Sequence, residues 1–173
     1  MKLKLDLHTH CYEALGFPEP GIEVVKIIID TVRAKGLDGI AITEHQSKRY
    51  GLQTKEIIDA YFPNKIIVIA GQEISSFDQE IVELYLEEGM VFRFIAHPIS
   101  LYNLSKERYK VQGIEIKNNL HRDEMHTEAI LEIAKRENLL PLTNSDAHFL
   151  RDIGKLYNYL DIEGLLGLAK PFG

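Results

Sequence analysis

The stretch Leu3-Lys4-Leu5-Asp6-Leu7-His8-Thr9-His10 alternates apolar and polar residues throughout. Alternation of period two marks a strand with two unlike faces. It predicts Leu3, Leu5, Leu7 and Thr9 on one face and Lys4, Asp6, His8 and His10 on the other, so the strand would end by presenting two imidazoles together. Leu139-Leu140-Pro141-Leu142-Thr143-Asn144-Ser145-Asp146-Ala147-His148 repeats the plan late in the chain. An apolar run reads as a buried strand over Leu139 to Thr143. Asp146 and His148 follow two residues apart, a spacing that aims both side chains the same way in extended chain.

Between these stretches short apolar runs alternate with helical periodicity. Cys11 to Gly21 reads as a loop, broken by Gly16, Pro18 and Pro20. Ile22 to Lys35 reads as a helix with Val25, Ile28, Ile29 and Val32 on one face, stopped by Gly36. Leu37 to Thr43 is a second strand, ending in Glu44-His45, and a short helix near Thr54–Tyr61 follows. Lys65 to Ala70 is a third strand, ending in Gly71-Gln72-Glu73. Ile81 to Leu86 reads better as one strand of a hairpin than as a helix. Val91 to Ala96 leads to His97-Pro98, and Val111 to Lys117 leads to Asn118-Asn119-Leu120-His121. Glu124 to Asn138 is a helix, and the tail holds a strand near Leu156–Leu160 and a helix near Glu163–Ala169. Alternating strands and helices imply parallel strands with right-handed crossovers. No glycine fingerprint follows the first strand, which argues against a dinucleotide fold and for a closed or nearly closed barrel.

The 173 residues suit one domain, 1–173, with a sizeable core. The formal net charge of −6 argues against a nucleic-acid surface, and above all against a long duplex as partner, though not against a small phosphorylated substrate. The lone cysteine, Cys11, excludes an internal disulfide framework and reads as a small buried side chain in a reducing cytoplasm. The N-terminus reads as a strand rather than a signal peptide, and no apolar run is long enough to span a membrane, so a cytoplasmic location and no membrane partner are expected. The sequence does not set an oligomeric state.

In a parallel barrel the active site lies at the C-terminal strand ends. There fall His8 and His10, Glu44-His45, Glu73, His97, His121, and Asp146 with His148. Six of the seven histidines are at or just beyond a strand end, and His126, in a helix, reads as a surface residue. Imidazole and carboxylate are the ligands of zinc, manganese and iron. Eight or nine such groups exceed what one ion takes and suit two or three divalent ions.

Five motifs together resemble the PHP (polymerase and histidinol phosphatase) superfamily: Asp6-Leu7-His8-Thr9-His10, Thr43-Glu44-His45, Gly71-Gln72-Glu73-Ile74, Ala96-His97-Pro98 and Ser145-Asp146-Ala147-His148. Gly113-Ile114-Glu115-Ile116 with Asn118, and Ile153-Gly154, also fit. The resemblance implies a distorted seven-stranded (β/α) TIM-like barrel, here at a length that suggests a trimmed form. It implies that His8, His10, Glu73 and Asp146 hold one ion, that Glu73 bridges to a second completed by His97 and His121, and that His45 and His148 hold a third. Two positions depart from the family pattern. Leu15 stands where a ligand is usual and leaves Glu13 as the nearest substitute. Glu44 replaces an aspartate; with Asp6 it is expected to orient histidines or backbone rather than bind metal, and Glu115 is given a structural role.

The expected function is metal-dependent hydrolysis of a small phosphate ester through a metal-bridging hydroxide. Asp146 and His148 are the expected catalytic groups, His148 being either ligand or proton donor. Lys48, Arg49, Arg93, Lys117, Arg122 and Arg151 are candidate phosphate donors, with Arg122 and Arg151 the preferred catalytic pair. Two other readings stay open: an amidohydrolase-like amide or lactone hydrolase, which needs a carboxylated lysine for which Lys117 is the candidate, and a metal-binding module without turnover in a larger assembly.

Overall fold

The computed structural model describes residues 1–172. In chain order it contains β1 (Leu3–Thr9), α1 (Cys11–Ala14), α2 (Ile22–Ala34), β2 (Gly39–Ile42), α3 (Arg49–Tyr61), β3 (Ile67–Ser76), β4 (Gln79–Tyr85), β5 (Met90–Ala96), α4 (Lys106–Tyr109), β6 (Gly113–Asn118), α5 (Thr127–Glu137), β7 (Leu140–Asn144), β8 (Asn158–Leu160), α6 (Ile162–Leu168) and β9 (Lys170–Pro171). The sheet runs β7-β6-β5-β4-β3-β2-β1-β8, with β9 added beside β5. The α/β barrel expected from the sequence is present as a nearly closed sheet.

Pairing is not parallel throughout, and the hairpin strand expected over Ile81 to Leu86 is present as β4. β1, β2 and β3 are parallel, as are β5, β6 and β7, but β4 runs antiparallel to both its neighbours and β8 antiparallel to β1. A hairpin thus stands where a helical crossover would be. β3 is also longer than its apolar core, so Glu73 lies within the strand instead of ending it. Its continuation pairs with β4, with Glu73 opposite Val82. Backbone pairing, which an apolar count does not see, sets the length.

Side chains sort by face. Ile40 and Ile42 of β2 pack with Val25, Ile28 and Val32 of α2 and with Tyr50 and Ile58 of α3. Leu5, Leu7, Ile69, Val82, Phe92, Phe94 and Leu142 form a second cluster inside the barrel. A third, around Ile95, Ile114, Ile130 and Ile133, seats α5. Two glycines permit the close approaches. A Cβ at Gly51 would meet the Ile42 carbonyl oxygen at 2.9 Å, and one at Gly71 would meet the Glu83 carbonyl oxygen at 2.6 Å. Gly71 thereby lets β3 carry Glu73 into the barrel beside β4.

Strict alternation fails in β1. Asp6 pairs with Ile40 and Thr9 with Ile42, so a three-residue step on β1 matches a two-residue step on β2. Such a bulge re-aims the side chains around it. Leu7 lies in the barrel-interior cluster, and the His8 ring, 6.3 Å from Phe94, reaches the same interior. Asp6 and Thr9 register with the residues that face the helices. Asp6 is therefore not on the His8 face: its carboxylate accepts bonds from Ser145 N–H at 3.1 Å and Gly154 N–H at 2.9 Å.

The seam between β1 and β7 is closed by side chains as well as backbone. His10 N–H donates to the Ala147 carbonyl at 2.9 Å and Asp146 N–H to the His8 carbonyl at 2.9 Å. Below them Leu7 N–H donates to Asn144 Oδ1 at 3.0 Å. The Asn158 amide donates to the Thr143 carbonyl at 2.9 Å and to Asn144 Oδ1 at 2.8 Å, and accepts from Thr143 N–H at 2.8 Å. Two buried asparagines thus stand in for a missing ladder and satisfy backbone groups that would otherwise be orphaned.

A candidate metal centre

Asp146 and His148 do not share a strand face. β7 ends at Asn144, and Asp146 has a left-handed backbone with φ 52°. Asp tolerates this region better than most residues. The turn sends Asp146 inward to His8 and His10 and leaves His148 toward the mouth. His97, with φ 25°, turns its chain similarly after β5.

His8 Nε2 and His10 Nε2 lie 3.1 Å apart. Asp146 Oδ1 is 3.5 Å from the first and 3.2 Å from the second, and Glu73 stands 3.3 and 3.5 Å from the same two atoms. His97 Nε2 lies 2.9 Å from Glu73 Oε1 and 3.8 Å from Asp146 Oδ2, and His121 Nε2 is also 3.8 Å from Asp146 Oδ2. Toward the mouth, His45 Nε2 and His148 Nε2 are 3.3 Å apart, with Glu13 at 3.6 and 3.8 Å. Among the described residues four groups converge closely enough to hold an ion: His8, His10 and Asp146; His8, Glu73 and His97; His97, His121 and Asp146; and His10, Glu13, His45 and His148.

All nine expected ligands meet. Their partition differs from the expectation in two ways. Asp146, besides Glu73, links the inner residues to His97 and His121. The outer group gains His10, while Leu15 stays outside it and Glu13 is in it.

The other ring nitrogens show why these histidines face one another. His8 Nδ1 is bonded to Glu115 Oε1 at 3.0 Å, His148 Nδ1 to the Asp146 carbonyl at 3.1 Å, and His121 Nδ1 to Glu124 Oε1 at 3.1 Å. An Nδ1 proton held by an oxygen leaves a lone pair on Nε2, the usual state of a metal-bound imidazole. Lone pairs aimed at one another, and a buried Asp146 Oδ1 with no donor, fit a cation between them. Glu115 anchors the floor. Besides His8 it accepts from Asn144 at 2.8 Å, Asn118 at 2.9 Å and His97 N–H at 2.8 Å. Asn118 also donates to Asp146 Oδ2 at 3.2 Å, and its oxygen accepts from His121 N–H at 3.1 Å. Glu44 accepts from Tyr12 N–H at 2.8 Å and stands 4.0 Å from His10 Nδ1, which has no partner.

The electrostatics match. Burial opposes a proton on His8, but the charges of Asp146, Glu73 and Glu115 outweigh it and hold its pKa well above the ordinary value. Burial, with His8 adding to it, pushes His10 down to about 4. Burial would raise Glu73 and Asp146, yet the surrounding histidines hold both well below the usual carboxylate range. Burial lifts Asp6 to about 6 and Glu44 to about 7. It also lifts the Cys11 thiol far above its ordinary value, as suits a small packing residue.

The basic candidates are placed less centrally. Arg122 and Arg151 have side chains 71% and 75% exposed and pair with their neighbours Asp123 and Asp152, so neither joins the ligand cluster as the preferred phosphate pair was expected to do. Arg93 is bound to Glu83 at 2.7 Å on the opposite strand face, and Lys48 lies over the Tyr85 ring. Lys117 is exposed and outside all four ligand groups. Arg49 alone shares a cleft with a ligand, His45. Glu80, 3.4 Å from His97 Nε2, and Asn144 were not singled out from sequence. The hairpin reading assigned no face to Glu80, and a polar residue after an apolar run does not announce that it will bridge two distant strands.

Residues 125–166 match a family model described as PHP-associated. An uncharacterised protein of Methanocaldococcus jannaschii is 32% identical over 95 residues, covering 51% of this chain and 53% of that protein. The chain thus spans about half the length of that curated relative. Among solved structures, a candidate metal-dependent phosphoesterase from Bifidobacterium adolescentis superposes with a TM-score of 0.70 at 14% identity, over 95% of this chain and 96% of the other. PsfC from Pseudomonas syringae gives 0.68 at 13%, over 98% and 89%. An amidohydrolase from Chromobacterium violaceum with bound sulfate gives 0.63 at 14%, over 96% and 97%. The match to the PHP-associated model, with the five motifs gathered at one end of this barrel, supports the resemblance to the PHP superfamily.

Proposed function

We propose that this protein is a metal-dependent phosphoesterase acting on a small phosphate ester at a two- or three-metal site. The observation that carries the reading is the sharing of ligands: His8, His10, His97 and Asp146 each belong to two of the four groups. Linked groups suit cations that act together on one phosphate. Zinc, manganese or iron suits the donor set. Bound there, such ions would lower the pKa of water and neutralise charge on the phosphoryl oxygens.

The chain's own residues do the rest. Glu115 fixes the His8 tautomer, and the Asp146 carbonyl fixes that of His148. The inner groups are buried, so substrate approaches from the mouth, where the side chains of His45, His121 and His148 are 45%, 26% and 22% exposed. His148 Nε2 faces that side and, where it does not hold an ion, donates the proton to the departing alkoxide. The likeness to solved hydrolases of both phosphoesterase and amidohydrolase description supports hydrolysis. The position of Lys117 outside the ligand groups weighs against a carboxylated-lysine site.

The test is the full chain, prepared with and without manganese, zinc or iron. Its metal content is measured, and turnover of p-nitrophenyl phosphate, bis(p-nitrophenyl) phosphate and an amide panel is compared. Metal-dependent turnover of a phosphate ester supports the proposal. Turnover of amides alone, or bound ions with no turnover, would replace it with the hydrolase or module reading.

A further inference from the structure

One more carboxylate reaches the candidate metal centre, from the hairpin strand. Val82 and Leu84 of β4 lie in the interior cluster and Ile81 in the outer one. Alternation along the strand therefore aims Glu80 inward, with Val82 and Leu84. Glu80 pairs in register with Ser75 of β3 and with Ala96 of β5, the residue before His97. Its Oε2 lies 3.4 Å from His97 Nε2. That is nearer than Asp146 Oδ2, at 3.8 Å, which shares a ligand group with His97.

The distance says what kind of contact this is. It is longer than a good N–H···O bond, whose atoms stand about 2.7–3.2 Å apart. It matches two neighbouring ligands on a four-coordinate ion, about 3.4 Å apart for bonds of about 2.1 Å. Glu80 is in none of the four groups as its side chain stands. The side chain is 43% exposed, and among the described residues no lysine or arginine pairs with it. Rotation about its own bonds can therefore carry it on or off an ion.

A cleft of about 470 Å³ opens here between the β3–β4 turn and the loop after β5, with Ser75, Gln79, Glu80 and His97 in its wall. A carboxylate so placed stands where an incoming phosphate would meet an ion held by His97. Two anions cannot share one coordination position.

We propose that Glu80 is a displaceable ligand, which binds the ion held by His97 while the site is empty and gives way to the phosphate of the substrate. The proposal rests on the phosphoesterase reading. It makes Glu80 a residue that sets phosphate affinity without touching the rest of the substrate.

Two substitutions in the full chain separate ligation from charge. Glu80→Gln removes the charge. Glu80→Asp keeps it and shortens the arm by one methylene. Manganese affinity is measured by competition with a chelator, and inorganic phosphate is titrated calorimetrically into the manganese-loaded protein. Both substitutions should weaken one ion about tenfold, the scale on which carboxylates around a site act. Both should also tighten phosphate about tenfold, as for a position that Glu80 fills about nine-tenths of the time. Structural damage would lower both affinities, so the opposite signs carry the test. Failure of either shift, a fall in both affinities, or a Glu80→Asp protein that behaves like the unaltered one overturns the displaceable ligand and leaves the phosphoesterase reading standing. No bound ion in the unaltered protein, or bound ions with no phosphate affinity in any of the three proteins, overturns both.

Discussion

The candidate metal centre has an inner and an outer half built on different terms. The inner half, His8, His10, Glu73 and Asp146, is almost wholly buried. It rests on Glu115, Asn118 and Asn144, whose bonds tie β1, β5, β6 and β7 into one floor. The outer half, Glu13, His45 and His148, is partly exposed, sits on loops and the four-residue α1, and has two supporting contacts, His148 Nδ1 with the Asp146 carbonyl at 3.1 Å and His45 Nδ1 with Glu73 Oε2 at 3.0 Å, and none at Glu13. Rigid support preorganises a ligand set, whereas a less supported set orders its side chains only when an ion arrives. The inner ions should therefore bind tightly and persist, and the outer ion should exchange.

The strongest way to break this contrast is Asp146→Ala, which removes the link between two inner groups. Phosphoesterase turnover should fall on the order of a thousandfold, the scale of losing a group that organises transition-state charge. Inner-ion content measured on the same sample should fall with it. Retention of both ions and rate would falsify the assignment.

Asn158→Ala attacks the seam under the inner half. It strands Thr143 N–H and the neighbouring carbonyl, and should lower unfolding stability by roughly 2–4 kcal/mol in chemical denaturation. A loss below about 1 kcal/mol would mean that water replaces the amide without penalty.

Glu115→Gln keeps the shape and removes the charge that fixes His8. Supporting carboxylates of this kind are worth about 10–100-fold in metal affinity, so inner-ion affinity should drop by that much in competition with a chelator. The matching change at the outer half, Glu13→Gln, should weaken one ion by about tenfold or less and leave the inner ions in place.

The inner half should also show its own pH dependence. His8 has its pKa raised by its carboxylate neighbours, so at neutral pH an entering ion must displace its proton. His10, pushed down to about 4, is already neutral there. Affinity should then rise with pH by about tenfold per unit while His8 remains protonated, with about one proton released on binding the ion that His8 holds. Calorimetry in buffers of different ionisation enthalpy reads this directly; no proton release would place His8 outside the ligand set. Smallest of all, Arg122→Ala and Arg151→Ala should each change turnover by about twofold or less, as for exposed charges paired with neighbours.

Much of this was legible in the chain. The apolar runs, the helical faces and the acids and imidazoles at strand ends follow from local periodicity, because burial of one face is a local demand on sequence. Glu13 is the acid nearest to Leu15, the position at which the family resemblance implies a ligand. What local pattern misled was facing. The bulge that separates Asp6 from His8 depends on the register with β2, and the left-handed turn at Asp146 depends on where β7 must stop. Neither is encoded in alternation.

The sequence by itself determined which side chains can ligate and that most of them come at or just past strand ends, since residue chemistry and short-range spacing are properties of the chain. Only the tertiary structure decided how they are divided among ions and that Asn144 and Asn158 close the barrel. Those outcomes rest on hydrogen bonds between residues more than a hundred positions apart, such as Leu7 with Asn144 and Leu5 with Asn158, whose partners exist only once the sheet has curled round.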